Sequence, residues 1–485
     1  MLDWLERKPD RVALRWQGRD ITYGEMGRRV ACTASALAAR CIAHGDRVAI
    51  LAYNCPDYLD LLFACARLGA VLVTLNWRLA PPEWQYILEH SGAKLLVHAD
   101  EFGRALDTLN LRLVRTGLDL ASCKGGDMPP PVGRPDDPLL LVYTSGTTGR
   151  PKGAVHTAAT LTANAAAGVE AHAMTAADRI LTFLPMFHVG GLNNQTLPAL
   201  SVGATVILQP RFAPDAALVA IEDERPTIVL LVPAVMKALT EHPRFASSDL
   251  SSLRFAMAGS SVVPVELIRA FHARGLPVGQ IYGSTETGPV SIVLKRADAM
   301  RKEGACGVPA LGCQVRLVDE AGRDVPQGQS GEVLIKAPNL MTGYWQEEAA
   351  TGVALQDGWY RTGDVGRRDE EGFYWVDERK KDMIISGGEN IYPAELEAVL
   401  DACPDIAESA VIARRDPKWG EVPVAVVVRR EGASLKEGDI RRLFEGRLAR
   451  FKHPHSVVFV DALPRNVMGK VLRYRLREQF GTLGS

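Results

Sequence analysis

The chain has 485 residues, 47% of them hydrophobic, and 56 Lys and Arg stand against 57 Asp and Glu for a formal net charge of −1. At roughly 150 residues per domain this length makes about three folded units, each large enough to bury a core, which excludes a peptide-sized binding module. Balanced charge excludes a sequence-independent grip on nucleic acid, and 44 Gly, 29 Pro and 23% charged residues exclude a disordered or fibrous chain.

The first residues, MLDWLERKPDRVAL, carry charges where a signal peptide needs an apolar run, so a cytoplasmic enzyme is expected. A βαβ rhythm follows: a strand in DRVAILA from Asp46, a helix in DYLDLLFACARLG from Asp57, a strand in AVLVTLN from Ala70, a helix in PPEWQYILEHSG and a strand in AKLLVHAD. The Pro/Gly-rich segment 124–138 reads as a surface connection. Beyond it come the strand LLLVYT and a long Ala-rich helix past Val155, then apolar strands from Ile180, Ala204, Thr227, Leu253 and Val278. Strands apolar throughout are those buried on both faces of a parallel sheet. The stretch Ile180–Pro210 lacks Asp, Glu, Lys and Arg, but its prolines, glycines and amides rule out a membrane span. From about Gly307 shorter alternating strands with turns predict an antiparallel subdomain. The last hundred or so residues predict a small α+β domain, with a helix from Pro393, strands around Ala410 and Val424, a helix near Leu443 and the strand SVVFV. Eight cysteines without a CxxC pair are expected to be reduced and mostly buried.

The most informative run is YTSGTTGRPKGA at 143–154, between a strand and a helical segment. Gly146, Gly149 and Gly153 let backbone approach an anion, Ser145, Thr147 and Thr148 offer hydroxyls, and Lys152 offers charge. The spacing is not that of a Walker A loop, where Lys directly follows the second Gly. In YGSTETG at 282–288, Thr285 suits a phosphate and Glu286 suits Mg²⁺. In RTGD the two carboxylate oxygens of Asp364 suit a ribose diol, although four residues alone favour a turn Asp capping a helix. His188 in PMFHVGG reads by itself as a core histidine, and SGGEN equally as a β-turn or as backbone lining a narrow channel, which only Gly allows.

Together these runs resemble, in order, the motifs of the adenylate-forming superfamily of acyl-CoA synthetases, aryl-CoA ligases, luciferases and peptide-synthetase adenylation domains. ERKKDMIISGGENIYP at 378–393 and PRNVMGK at 464–470 complete the set, which spans nearly all of the chain from about residue 140. The resemblance implies an α/β fold with a large N-terminal AMP-binding domain, residues 1–380. That domain would hold mixed and parallel sheets flanked by helices and a β-rich subdomain from about 307. A small mobile α+β C-terminal domain, 381–485, would follow. It implies a two-step ligase: a carboxylate attacks the α-phosphate of Mg-ATP, then CoA displaces AMP. It places Lys470 at the first step, where an ammonium stabilises charge building between carboxylate and phosphate. His188, Thr285 and Glu286 join it, with Mg²⁺ held by Glu286 and Thr147. Thr144, Ser145, Gly146, Thr147, Thr148, Gly149, Lys152, Gly259, Tyr282, Gly283, Ser284, Asp364 and Arg379 would hold the nucleotide. Lys381 would be the hinge, where some relatives carry Asp. Gly387, Gly388, Trp419, Phe451 and Lys452 would meet CoA.

The acyl pocket implied is Val189, Gly190, Gly191, Met257, Ala258 and Gly288, small and without a cation. A dicarboxylate is disfavoured because its far end would lack a partner, and an α-amino acid because PMFHVGG has no Asp to meet its amine. AGSS at 258–261 departs from the GGAP of many relatives, which leaves the adenine contact of its neighbours open. The expectation is a medium- or long-chain fatty acid, with an aromatic acid of the cinnamate, ferulate or benzoate type as alternative. Transfer to a carrier protein and a non-catalytic nucleotide-binding protein are the rival classes. A homodimer and peripheral membrane contact stay open, with no nucleic-acid partner expected.

Overall fold

The computed structural model describes residues 7–122, 129–144, 150–260, 263–379, 383–464 and 471–482. The chain divides into two compact units, one of Met1–Trp77, Leu88–Tyr143 and Gly153–Glu378, the other of Arg78–Ile87, Thr144–Lys152 and Arg379–Ser485.

The first unit holds two large α/β sheets. In one, Val278–Tyr282, Phe255–Gly259, Ile228–Leu231, Arg179–Thr182, Thr205–Leu208 and Val12–Trp16 lie side by side and parallel. Antiparallel strands Ile292–Leu294 and Arg19–Thr22 flank them. Thr205–Leu208, Ile228–Leu231 and Phe255–Gly259 are buried at every position, as helices on both faces require. In the other sheet Val114–Gly117, Leu95–His98, Arg47–Leu51, Val71–Thr74 and Pro138–Thr144 run parallel, and Lys152–Thr157 and Gly343–Tyr344 extend it.

Local chemistry sets the helix ends. Pro56–Leu68 opens on Pro56, whose missing N–H costs nothing in a first turn, and stops at Gly69 in the left-handed region (φ +64°). Ala158–His172 is capped reciprocally: Thr160 N–H donates to Thr157 Oγ1 at 3.1 Å, and Thr157 N–H to Thr160 Oγ1 at 2.9 Å.

A third, antiparallel sheet of Gln314–Val318, Gly331–Lys336 and Trp359–Arg368, with Tyr374–Arg379 beside the last, makes up the expected β-rich part. The second unit contains the hairpin Ile384–Ser386 and Glu389–Ile391, the long antiparallel pair Ile406–Asp416 and Gly420–Arg429, and Ser456–Phe459 parallel to the latter. Helices Pro393–Asp401 and Arg473–Phe480 accompany this sheet.

One strand was not anticipated and one expectation is corrected. The run 152–157 is a strand, held between two sheet neighbours that no local pattern reveals, and the expected Ala-rich helix follows it as Ala158–His172. Cys32 is disulfide-bonded, while Cys41, Cys55, Cys65, Cys306, Cys313 and Cys403 are free thiols. Among the described residues no helix is long and apolar enough to cross a membrane.

Candidate active site

Strand Val278–Tyr282 delivers its C-terminal end into a tight return that carries the predicted chemistry, as the carboxyl ends of parallel strands commonly do. Gly283 is obligatory there, since a Cβ would sit 1.7 Å from Pro289 O. A single 3₁₀ turn, Thr285–Thr287, follows, anchored by Ser284 N–H donating to Thr287 Oγ1 at 2.9 Å, and ends at Gly288 with φ +99°. Glu286 is buried, and its Oε1 accepts a 2.8 Å hydrogen bond from the Tyr344 hydroxyl. Burial, then the charge of Glu286, pushes the Tyr344 phenol pKa far up, so it stays a donor. Asp364, on strand Trp359–Arg368, is also buried and accepts from the Tyr282 hydroxyl at 2.7 Å, which joins two of the predicted nucleotide residues.

Buried amides that the sequence reading did not single out tie this turn to the predicted acyl pocket. Asn339 Nδ2 donates to Thr287 O (2.8 Å), Val290 O (2.9 Å) and Asn164 Oδ1 (3.2 Å). Asn164 Nδ2 donates to Asn193 O at 2.7 Å, and Asn193 Nδ2 to Gly288 O at 3.1 Å. Asn193 lies in a π-helical stretch, Gly190–Thr196, directly after His188. Asn54 fixes the segment before His188, donating to Leu184 O at 3.0 Å and accepting from Met186 N–H at 2.8 Å. Three asparagines remote in sequence give no local signal, because their role exists only once the strands are assembled. His156, fully buried, donates from Nε2 to Thr285 O at 2.8 Å, and burial depresses its pKa, so the ring is neutral.

Of the predicted pocket residues, Val189 and Gly191 are buried, Gly190 has open space around it, and Met257 and Ala258 belong to the hydrophobic core of the first unit. His188 is half-buried with its ring 4.4 Å from that of Phe187. Gly259 packs so closely that a Cβ would lie 2.5 Å from Ile281 O. Lys152 opens its strand, and Thr144 closes Pro138–Thr144. Ser145, Gly146, Thr147, Thr148, Gly149, Lys381 and Lys470 lie outside the described residues, as does the Arg379 side chain, whose backbone ends strand Tyr374–Arg379.

In the second unit Gly387 (φ +59°) and Gly388 (φ +86°) are the two central residues of the hairpin between Ile384–Ser386 and Glu389–Ile391, a turn that demands left-handed backbone at both. Gly387 N–H donates to Trp419 O at 2.8 Å, and Trp419 is 43% exposed with the Lys418 ammonium 4.8 Å from its ring. Phe451 packs on the hydrophobic core of this unit. Lys452, expected near CoA phosphates, is instead 2% exposed, its ammonium 2.6 Å from Glu83 Oε1 and 2.6 Å from Glu395 Oε2. Burial alone would lower its pKa, but the two carboxylates hold it above the ordinary value.

Residues 2–345 match the AMP-binding enzyme family and residues 395–470 its C-terminal domain. The chain is 48% identical to an indoleacetate–CoA ligase of Aromatoleum aromaticum, over 98% of this chain and 97% of that one. It is 44% identical to a feruloyl-CoA synthase of an Amycolatopsis species, over 98% and 96%. Among solved structures, a double mutant of the o-succinylbenzoate CoA synthetase of Bacillus subtilis, bound to a product analogue, superposes with a TM-score of 0.90 at 32% identity, over 99% of both chains. The chain therefore belongs to the AMP-binding enzyme family of the adenylate-forming superfamily and is an acid–thiol ligase.

Proposed function

We propose that this ligase activates an aromatic carboxylic acid, of the arylacetic or cinnamic type, and passes it to CoA. The observation that carries this reading is the full-length likeness to ligases named for indoleacetate and ferulate. The fatty-acid expectation gives way to its alternative on that ground. The predicted pocket is consistent with a flat ring: it is built of small and apolar residues and brings no Lys or Arg.

In the first step a carboxylate oxygen of the acid attacks the α-phosphorus of ATP, the bond to the bridging oxygen breaks, and pyrophosphate leaves. Lys470 supplies the ammonium that offsets the charge growing on phosphorus and bridge. Asp364, already oriented by Tyr282, meets the ribose hydroxyls. In the second step the CoA sulfur attacks the acyl carbon, AMP departs, and the thiol proton passes to solvent. Among the described residues no three His, Cys, Asp or Glu side chains gather as a self-sufficient metal cage. One buried carboxylate, Glu286, with one oxygen engaged by Tyr344, suits a Mg²⁺ that draws its remaining ligands from ATP phosphates and water. When bound, Mg²⁺ neutralises phosphate charge as it develops.

Pyrophosphate release and thioester formation, measured with indoleacetate, ferulate, benzoate and palmitate with and without CoA, test the reading. An aromatic acid is expected to give the highest kcat/KM, by on the order of 10-fold or more over palmitate. A preference for palmitate would overturn the substrate class, and adenylate formation without any CoA thioester would overturn the acceptor.

A further inference from the structure

The turn that carries Thr285 and Glu286 is three residues long, too short to hold a side chain in place by its own hydrogen bonds. Its partners come from outside. Tyr344 donates to Glu286 Oε1 at 2.8 Å, and His156 Nε2–H to Thr285 O at 2.8 Å. Main-chain Met341 N–H donates to Glu286 O, also at 2.8 Å. Tyr344 and His156 belong to one two-stranded ladder, in which Gly343 pairs with Val155 and Tyr344 with Ala154. The strand that follows the predicted phosphate loop in sequence is thus the one that grips the turn.

We propose that Tyr344 and His156 are positioning residues, a two-point clamp in which Tyr344 orients the Glu286 carboxylate and His156 fixes the backbone at Thr285. The proposal rests on the reading of Glu286 as the group that meets Mg²⁺ on ATP. Two features carry it. Tyr344 occupies one carboxylate oxygen and so sets the direction of the other. Thr285 O can only accept, so His156 must carry its proton on Nε2, which its neutral, buried state allows. Partners of this kind commonly change metal affinity by about 10- to 100-fold when removed.

The test is calorimetric binding of a non-hydrolysable ATP analogue, titrated with and without Mg²⁺, to the wild type, Tyr344→Phe and Glu286→Gln. Tyr344→Phe is expected to weaken Mg²⁺-dependent binding about 10-fold and to leave metal-free binding unchanged. Wild-type affinity in Tyr344→Phe beside a weakened Glu286→Gln overturns the clamp and keeps the metal reading. Wild-type affinity in both variants overturns the metal reading and the clamp with it. The second arm replaces His156. His156→Gln restores an amide donor toward Thr285 O, whereas His156→Leu cannot, so a raised KM for ATP in the Leu variant with substantial recovery in the Gln variant is expected. Equal defects in both, spread evenly over both half-reactions, would mean that His156 serves packing alone.

Discussion

Gly190 and Gly191 stand side by side in the predicted acyl pocket, and the structure separates them. A Cβ on Gly191 would lie 2.3 Å from Pro185 O and 2.4 Å from Leu184 O, carbonyls of a segment that Asn54 pins in place. Substituting Gly191 therefore probes folding: Gly191→Ala is expected to cost about 1–3 kcal/mol, seen as a lower melting temperature. Nothing lies within 4 Å of a Cβ on Gly190. Gly190→Leu should keep wild-type stability and lower kcat/KM for bulky aromatic acids by on the order of 10-fold relative to small ones. An unchanged ratio would place the pocket elsewhere. Lys452 makes the same point from the other side. As a residue type it reads as an exposed phosphate contact, yet its ammonium is spent on two buried carboxylates. A lone Lys carries no mark of its burial; that depends on the two Glu brought to it.

At the scale of elements, the starts of three neighbouring parallel strands share one carboxylate. Asp178 Oδ1 accepts from Thr227 Oγ1 at 2.7 Å and Arg254 Nε at 2.9 Å, and its Oδ2 accepts from Thr175 N–H at 2.8 Å. These residues precede or open Arg179–Thr182, Ile228–Leu231 and Phe255–Gly259. Burial alone would raise the Asp178 pKa, but the donors, Arg254 foremost, outweigh it and hold it below the ordinary carboxylate value. A depressed folded-state pKa gives stability that is present above about pH 4 and is lost as pH falls through the lowered value. Asp178→Asn is expected to lower stability at pH 7 by about 1–3 kcal/mol, and in melts the gap to wild type should narrow progressively as pH falls below about 4. A gap independent of pH would refute the role of its charge. The strands themselves were legible as short apolar runs, since burial on both faces leaves no other composition available. Lys152–Thr157 was not, because its strand conformation comes from neighbours distant in sequence, and neither were Asn164, Asn193 and Asn339.

For the whole molecule, the prediction is a separation of the two half-reactions by single substitutions. On the proposed role of Lys470 in the first step alone, Lys470→Ala should lower pyrophosphate release by on the order of 10²-fold or more and still convert supplied acyl-adenylate to thioester. On the hinge assignment that the family resemblance gives Lys381, Lys381→Pro should do the reverse, forming adenylate but failing to pass it to CoA, since a proline-fixed φ blocks the backbone rotation a hinge requires. Rapid-quench measurement of each half-reaction decides both; equal loss in the two halves of either variant would remove its assignment.

The sequence by itself determined the α/β class, the presence of a β-rich part, the small C-terminal sheet and the family, because each rests on local composition or on ordered motifs that are each only a few residues long. It did not determine which acid is preferred; the aromatic-acid proposal rests on full-length likeness to ligases named for indoleacetate and ferulate. Only the tertiary structure decided that Gly191 has no room where Gly190 has, that Lys452 is buried between carboxylates, and that Tyr344 and His156 hold the Thr285–Glu286 turn. The last two depend on atoms contributed by segments far apart in the chain, and the first on nearby carbonyls of Leu184 and Pro185 in a segment that the distant Asn54 pins. Hydrogen bonds and steric contacts of that kind are written in three-dimensional proximity, which no local pattern of residue types encodes.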